Sequence, residues 1–367
     1  MQIDRRLISH FDWTLFLLML TFVLIGVMTI YSANYNITEK HAGGLPSRQL
    51  IWLGLGLIAM LAAIAVDYHH IDRIAYPFYG GILLLLIVVL VAGHAGGGSQ
   101  RWINLGFFRL QPSEPAKLAI VLMMAKYLQD GEPTKGYRLR DIWVPFALVG
   151  PLVLLTLVQP DLGTAIILGI VFLSMLLIGG LRLRSFVYLL GTGLAFLPVG
   201  WHFLKSYQRA RILTFLDPDR DPLGAGYHVI QSKIAIGSGR LFGKGYLHGT
   251  QNRLDFLPAQ HTDFIFAVFS EEWGFVGCLV LLLLYVILIA YCLRLMQRVK
   301  DRFGGLLVFG MVAIFFWHVV INVAMVSGLM PVVGVPLPMV SYGGSALASM
   351  MFAIGVMINV SMRRYIF

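Results

Sequence analysis

The sequence predicts an all-α polytopic membrane protein of about ten transmembrane helices, and three observations carry that prediction. Of 367 residues, 58% are hydrophobic and only 13% charged, about half the charge of an ordinary soluble domain. Apolar runs of about 18 residues or more recur along the chain, each long enough to cross ~30 Å of hydrocarbon as a helix. One long break interrupts them, a polar stretch over 204–262 rich in Gly and Lys/Arg. The chain therefore reads as a single integral membrane domain, 1–367, with that loop inside it.

Spans are expected at 13–33, 50–66, 74–93, 116–130, 143–159, 163–181, 186–203, 264–293, 305–328 and 342–362. The first is longer than a signal-peptide core and lacks a convincing cleavage site, so it reads as a retained span. In the fourth, Lys117 and Lys126 bracket a short apolar core. The eighth is too long for an upright crossing, so its first turns should tilt or rise above the bilayer. An even number of spans puts both termini on one side. Links on that side carry Arg73, Arg138, Arg140, Arg182, Arg184, Arg298, Lys300 and Arg302, among others, whereas the opposite short links hold Lys40, Arg48, Arg101, Arg109 and little else. The positive-inside rule sets both termini in the cytoplasm and the long loop, between spans seven and eight, outside. Cys278 and Cys292 lie in one apolar run, ~21 Å apart along a helix, too far for a disulfide.

The outer loop nevertheless carries Lys205, Arg209, Arg211, Arg220, Lys233, Arg240, Lys244 and Arg253. Those cations suit either a solvated loop against anionic headgroups or a site for an anionic substrate at the outer leaflet. Basic groups aimed at a phosphate gain most where protein and lipid exclude water.

Several short segments interrupt the apolar pattern. Before span four, Arg101-Trp102 is followed by Gln111-Pro112-Ser113-Glu114-Pro115-Ala116-Lys117. Ser113 reads as a helix N-cap with Pro115 in the first turn, and Glu114 and Lys117 are spaced to pair. Ionisable groups at the start of a span are costly, which equally marks a functional pair. Gln159-Pro160-Asp161 reads as a turn with Asp161 capping the next helix. Asp217-Pro218-Asp219 and Asp221-Pro222 are turn initiators before they are metal ligands. A short surface helix is expected over 224–237, followed by a Gly-rich stretch, 238–245, that could bring backbone N–H groups to phosphate. Asp263 is either the cap of the eighth span or a carboxylate at its outer mouth, placed to take a proton from a sugar hydroxyl. Glu271 and Glu272 lie within that span and need partners. Residues 304–362 contain no Asp, Glu, Lys or Arg, yet the prolines at 331, 336 and 338 forbid continuous helix. Such a stretch must be shielded by protein or line a cavity.

Six stretches in this order resemble the SEDS family (shape, elongation, division and sporulation). They are Arg101-Trp102 with Gln111-Pro112-Ser113-Glu114; Gln159-Pro160-Asp161-Leu162-Gly163-Thr164; Asp221-Pro222-Leu223-Gly224-Ala225-Gly226-Tyr227; Gln231-Ser232-Lys233-Ile234-Ala235-Ile236-Gly237; Leu257-Pro258 with His261-Thr262-Asp263-Phe264; and Pro336-Leu337-Pro338 with Ser341-Tyr342-Gly343-Gly344-Ser345. The resemblance covers nearly the whole chain, and 243–251 is similar to elongation rather than division members. It implies a ten-span glycosyltransferase of the bacterial cytoplasmic (inner) membrane that polymerises lipid II on the outer face. It also implies a class B penicillin-binding protein as partner. The family's essential acid falls on Asp263, and its Arg-Trp and Ser-Glu-Pro-x-Lys positions fall on Trp102, Glu114 and Lys117.

On that reading an acceptor 4-hydroxyl attacks the anomeric carbon of a diphosphate-linked glycan, with inversion. Lys117, Arg209, Arg211 and Lys233 are candidates for neutralising the diphosphate. Asp263 is the general base, or it holds a divalent cation such as Mg or Mn. Membrane lipids are expected neighbours and nucleic acid is not. The competing classes are a flippase for lipid-linked precursor and a non-catalytic scaffold. Candidate ionisable groups cluster on one face and no inverted repeat is evident, which weighs against a flippase.

Overall fold

The computed structural model describes residues 10–35, 44–92, 94–96, 99–104, 109–131, 136–217, 225–253 and 260–364. Among them, ten long helices fall on the ten expected segments: α1 (Trp13–Ala33), α2 (Leu45–Ala65), α3 (Tyr68–Ala92), α4 (Ser113–Asp130), α5 (Trp143–Val158), α6 (Leu162–Ile178), α7 (Leu183–Phe203), α11 (Ile265–Arg298), α12 (Arg302–Val326) and α13 (Gly344–Arg363). The long loop adds α8 (Ser206–Leu216), α9 (Ala225–Ser238) and the single turn α10 (Thr250–Arg253). Among the described residues, seven helices are long and apolar enough to cross a membrane by length and composition.

The fold is mostly helical, as expected, with one small addition that the sequence reading did not make. Strands β1 (His94–Gly96), β2 (Ser99–Asn104) and β3 (Arg109–Leu110) form a small antiparallel sheet in order β1-β2-β3 between α3 and α4. Three strands of six residues or fewer leave little period-2 pattern to read between two long apolar runs.

Burial sorts the helices. α12 and α13 are enclosed along most of their length, and α4 buries Leu118 through Ala125 without a gap. α7 instead exposes Leu183, Val187, Leu194 and Phe196. So large an unpartnered apolar surface marks a helix with hydrocarbon as its solvent.

Consecutive helices alternate between two ends of the bundle. At one end the helix starts are stapled by carboxylates: Asp12 caps α1, accepting from Leu15 N at 3.2 Å, and also accepts from Tyr291 at 2.9 Å and Ser361 at 2.6 Å. Asp301 caps α12 and accepts from Tyr68 at 2.6 Å, while Lys126 donates to Asp72 at 2.9 Å. The other end collects the sheet, the starts of α4, α6, α11 and α13, and the long loop.

The eighth expected span resolves its excess length by breaking. At Gly274 α11 leaves helical geometry (φ 65°, ψ −165°). A break inside a helix orphans backbone groups, which in hydrocarbon costs several kcal/mol each. The stretch 239–245 takes them up. Lys244 N and Gly245 N donate to the carbonyls of Glu271 and Glu272, both at 3.0 Å. Phe275 N and Val276 N donate to Arg240 O at 2.8 Å and Leu241 O at 3.0 Å. A Cβ at Gly239 or Gly243 would strike the carbonyls of Ser270 and Glu272. These glycines therefore serve a backbone-to-backbone seam, a correction to the phosphate reading of 238–245.

Candidate active site

The strand β2 brings Arg101 against the turn between α5 and α6. Its Nε donates to Gln159 O at 3.0 Å, its Nη2 to Pro160 O, and its Nη1 lies 3.9 Å from Asp161 Oδ1. Trp102 pairs with His94 in the β1–β2 ladder and is half-buried. Asp161 caps α6 as expected, accepting from Thr164 N at 3.3 Å. Its other oxygen accepts from Ser113 Oγ, Gln111 Nε2 and Thr164 Oγ1, all at 3.0 Å.

Ser113 is therefore not the N-cap of α4. The cap position is Pro112, without a side-chain cap bond, and Ser113 is the first helical residue. Its hydroxyl instead donates sideways to the buried carboxylate of Asp161.

One turn into α4, Glu114 and Lys117 pair at 2.8 Å, and both are buried. Lys117 Nζ also reaches His318 Nε2 of α12 at 2.9 Å. Sequence reasoning missed His318 because it searched that helix for formal charges only. A histidine in an apolar run was the available signal.

Asp263 stands just before α11 and is half-buried. It is not the side-chain cap of that helix, since the cap position is Phe264 and carries no side-chain cap bond. Burial pushes its carboxyl up to about 6, with Arg211, a Thr262 hydrogen bond and Arg101 opposing the rise and Asp161 adding to it. Burial also pushes the neighbouring His261 down, which favours its neutral imidazole.

The proline-rich stretch after α12 supplies the wall behind Asp263. It is non-helical, as expected, and mixes half-buried and buried residues over 331–338. Asn322 Nδ2 donates to Asp263 O at 3.0 Å and to Val335 O at 2.7 Å. Ser341 Oγ donates to Thr262 O at 2.7 Å, and Tyr342 N to His261 O at 2.8 Å. Gly334, at φ 75°, has room for no more than light contact beside the Asp263 carboxylate. Gly163 lets α6 approach Val333 O, which a Cβ there would strike at 2.5 Å.

Of the seven sequence candidates, the structure brings Arg211 within electrostatic reach of Asp263, and Glu114 onto Lys117. Asp161 and α12 link these two groups. Arg209 is engaged elsewhere: its guanidinium donates to Trp201 O at 3.0 Å and His202 O at 2.7 Å, the orphan carbonyls ending α7. Lys233 is exposed and lays its stem across Gly328 at the end of α12. Asp217 is an exposed helix C-cap, and Asp219 and Asp221 lie outside the described residues.

Among the described residues no three His, Cys, Asp or Glu side chains converge as a metal cage. Asp263 offers one carboxylate, a hard oxygen donor that suits a divalent cation in kind but does not by itself make a cage. An apolar groove of about 420 Å³ runs between α1 and α11, lined by Ile25, Met28, Phe242, Phe269, Trp273 and Val280.

The chain matches the family model FtsW/RodA/SpoVE, described as a cell cycle protein, over residues 12–366. It is 42% identical to the peptidoglycan glycosyltransferase MrdB of Escherichia coli K12, covering 97% of this chain and 94% of that one. Among solved structures it superposes with TM-score 0.82 and 35% identity on a chain from a peptidoglycan synthase complex that coordinates polymerization and crosslinking, covering 97% of this chain and 98% of that one. The crystal structure of the rod shape determining protein RodA of Thermus thermophilus gives TM-score 0.72 at 32% identity, again covering 97% and 98%.

Proposed function

The chain belongs to the FtsW/RodA/SpoVE family, and on that premise we propose that Asp263 is the general base of its glycosyl transfer. The protein is a multi-pass membrane peptidoglycan glycosyltransferase of cell elongation. The substrate is lipid II, and the glycan strand grows at the bundle end that carries the sheet and the long loop. The ten alternating helices and the basic links support ten crossings, with both termini cytoplasmic and the site on the outer face.

The observation that carries this reading is the environment of Asp263. A carboxyl raised to about 6 is still mostly ionised at pH 7 and is a better base than an ordinary aspartate. It takes the proton of the acceptor sugar 4-hydroxyl as that oxygen attacks the anomeric carbon. The bond to the diphosphate breaks, and the undecaprenyl diphosphate leaves with the bonding pair. A single carboxylate on the attacking side gives inversion. Diphosphate is already a good leaving group, so charge neutralisation is what the protein must add. Arg211 faces Asp263 and is the first candidate; Lys117 is the second, with Glu114 setting its direction. Lys233 and Arg209 are secondary, and Trp102 is a wall for the sugar beside Arg101. A Mg or Mn ion, held by Asp263, would supply further charge to the diphosphate when bound. The apolar groove between α1 and α11 suits the polyprenyl tail. A class B penicillin-binding protein is the expected partner, in keeping with the synthase complex that this chain resembles.

The test uses purified full-length protein with that partner and labelled lipid II. Asp263→Asn should lower strand synthesis by about 10²–10⁴-fold while leaving lipid II binding in place. A product with retained anomeric configuration, or an Asp263→Asn enzyme at normal rate, would sink the scheme. Transfer of lipid II between leaflets without polymer would instead favour the flippase.

A further inference from the structure

We infer that one face of α12 sets the spacing of the active site, with His318 and Asn322 as positioning residues for the transfer. The inference rests on the roles proposed for Lys117 and Asp263. His318 and Asn322 are four residues apart, one above the other on a helix surface. They are the polar pair of an otherwise apolar turn, and both are buried. Each reaches a different half of the site.

His318 Nδ1 lies 2.8 Å from Ile314 O, its own helix carbonyl, so that nitrogen carries the proton. Nε2 is then an acceptor, and it faces Lys117 Nζ at 2.9 Å. A lysine is a point charge on a flexible four-carbon stem. Glu114, three residues away on the same helix, draws the ammonium toward α4 but leaves it free to swing. His318 adds a second bearing from another helix and fixes the direction. Asn322 does the same for the other half. Its amide spends both N–H groups on carbonyls, one belonging to Asp263 and one to Val335. It thereby ties the head of α11 to the proline-rich wall, whose Gly334 lies against the Asp263 carboxylate. The base and the cation therefore share one rigid reference, and neither is set by the loop between them.

Interhelical hydrogen bonds in a bundle can also be mere glue, and the experiment separates the two. Turnover, KM and thermal midpoint would be measured on the full-length protein with its partner and labelled lipid II. His318→Leu should cut kcat by about 10–100-fold, because displacing a reacting group by an ångström costs that order. KM should stay near wild type and the midpoint should fall little. His318→Gln, whose carbonyl can accept from Lys117, should recover most of the loss. Combined with Lys117→Met, His318→Leu should add nothing, since it acts only through that lysine. Asn322→Leu should lower kcat in the same way, and the milder Asn322→Ser serves if that variant does not fold. Full turnover in His318→Leu, a loss that tracks the midpoint and resists Gln rescue, or a loss that adds to Lys117→Met would each overturn the inference. A fully active Lys117→Met overturns instead the role of Lys117 on which it rests. A fully active His318→Leu beside an inactive Lys117→Met overturns the inference alone.

Discussion

Two lysine–carboxylate pairs with buried carboxylates lie at the same end of the bundle, alike in chemistry and unlike in company. Lys117 and Glu114 meet at 2.8 Å, Lys244 and Glu271 at 2.6 Å. Glu271 is saturated: besides Lys244 it accepts from Thr250 N at 2.8 Å, Thr250 Oγ1 at 2.9 Å and Gln251 N at 3.2 Å. Lys244 belongs to the stretch that seams the break in α11, and Thr250 and Gln251 to the short α10 that follows it. Glu114 and Lys117 have only His318 for further company among the described residues. A carboxylate that has used its lone pairs holds structure together. One that shares a single cation in a dry place keeps a charge in reserve for a ligand.

A double variant tests that contrast best at Glu114 and Lys117, because either single variant there leaves a buried charge unpaired and destabilises the fold. Glu114→Gln with Lys117→Met should fold with a near-normal thermal midpoint, yet lose about 10²–10³-fold in strand synthesis, the scale of one lost transition-state donor. If the double variant polymerises normally, the two pairs are equivalent and the contrast fails. Glu271→Gln should act in the opposite sense, costing about 1.5–3 kcal/mol in unfolding as charged hydrogen bonds become neutral ones. Its turnover per folded molecule should stay within twofold, because its lone pairs are spent on structural donors.

A third measurement concerns pH. Strand synthesis should fall about tenfold between pH 7 and pH 5 if Asp263 is the base proposed above, since its carboxyl is raised to about 6. Stability should run the other way. The folded protein holds this proton more tightly than the unfolded chain, so the contribution is present below the ordinary carboxylate value and lost as pH rises through about 6. Asp263→Asn should therefore flatten both profiles, read by rate and by thermal midpoint. A rate profile unchanged in shape by Asp263→Asn would mean that another group titrates. The smallest effect is expected for Lys244→Met, about 0.2–1 kcal/mol in unfolding, since that ammonium is partly exposed and Glu271 keeps its backbone donors.

Much of this arrangement was legible in the sequence. Apolar runs located all ten long helices to within a few residues, and the i, i+3 spacing of Glu114 and Lys117 gave their pairing. Asp161 was recognised as a cap, but its hold on Ser113 and Gln111 was not, because those bonds join residues about fifty positions apart. Arg209 misled for a related reason. A cation in a polar loop looks available, and only the fold shows α7 ending beneath it with unpaired carbonyls. Gly274 sits in an apolar run where periodicity predicts unbroken helix. The break becomes visible only with its partner segment, 239–245, which lies about thirty residues earlier.

That seam has a mechanical consequence. Where it meets hydrocarbon, lifting the 239–245 segment away would strand four backbone groups, Glu271 O, Glu272 O, Phe275 N and Val276 N, at several kcal/mol each. Water could repay that debt for a soluble protein; lipid cannot. The bilayer thus acts as a latch on the loop, and whatever travel the loop needs while a glycan strand advances must come from the segments on either side of the seam.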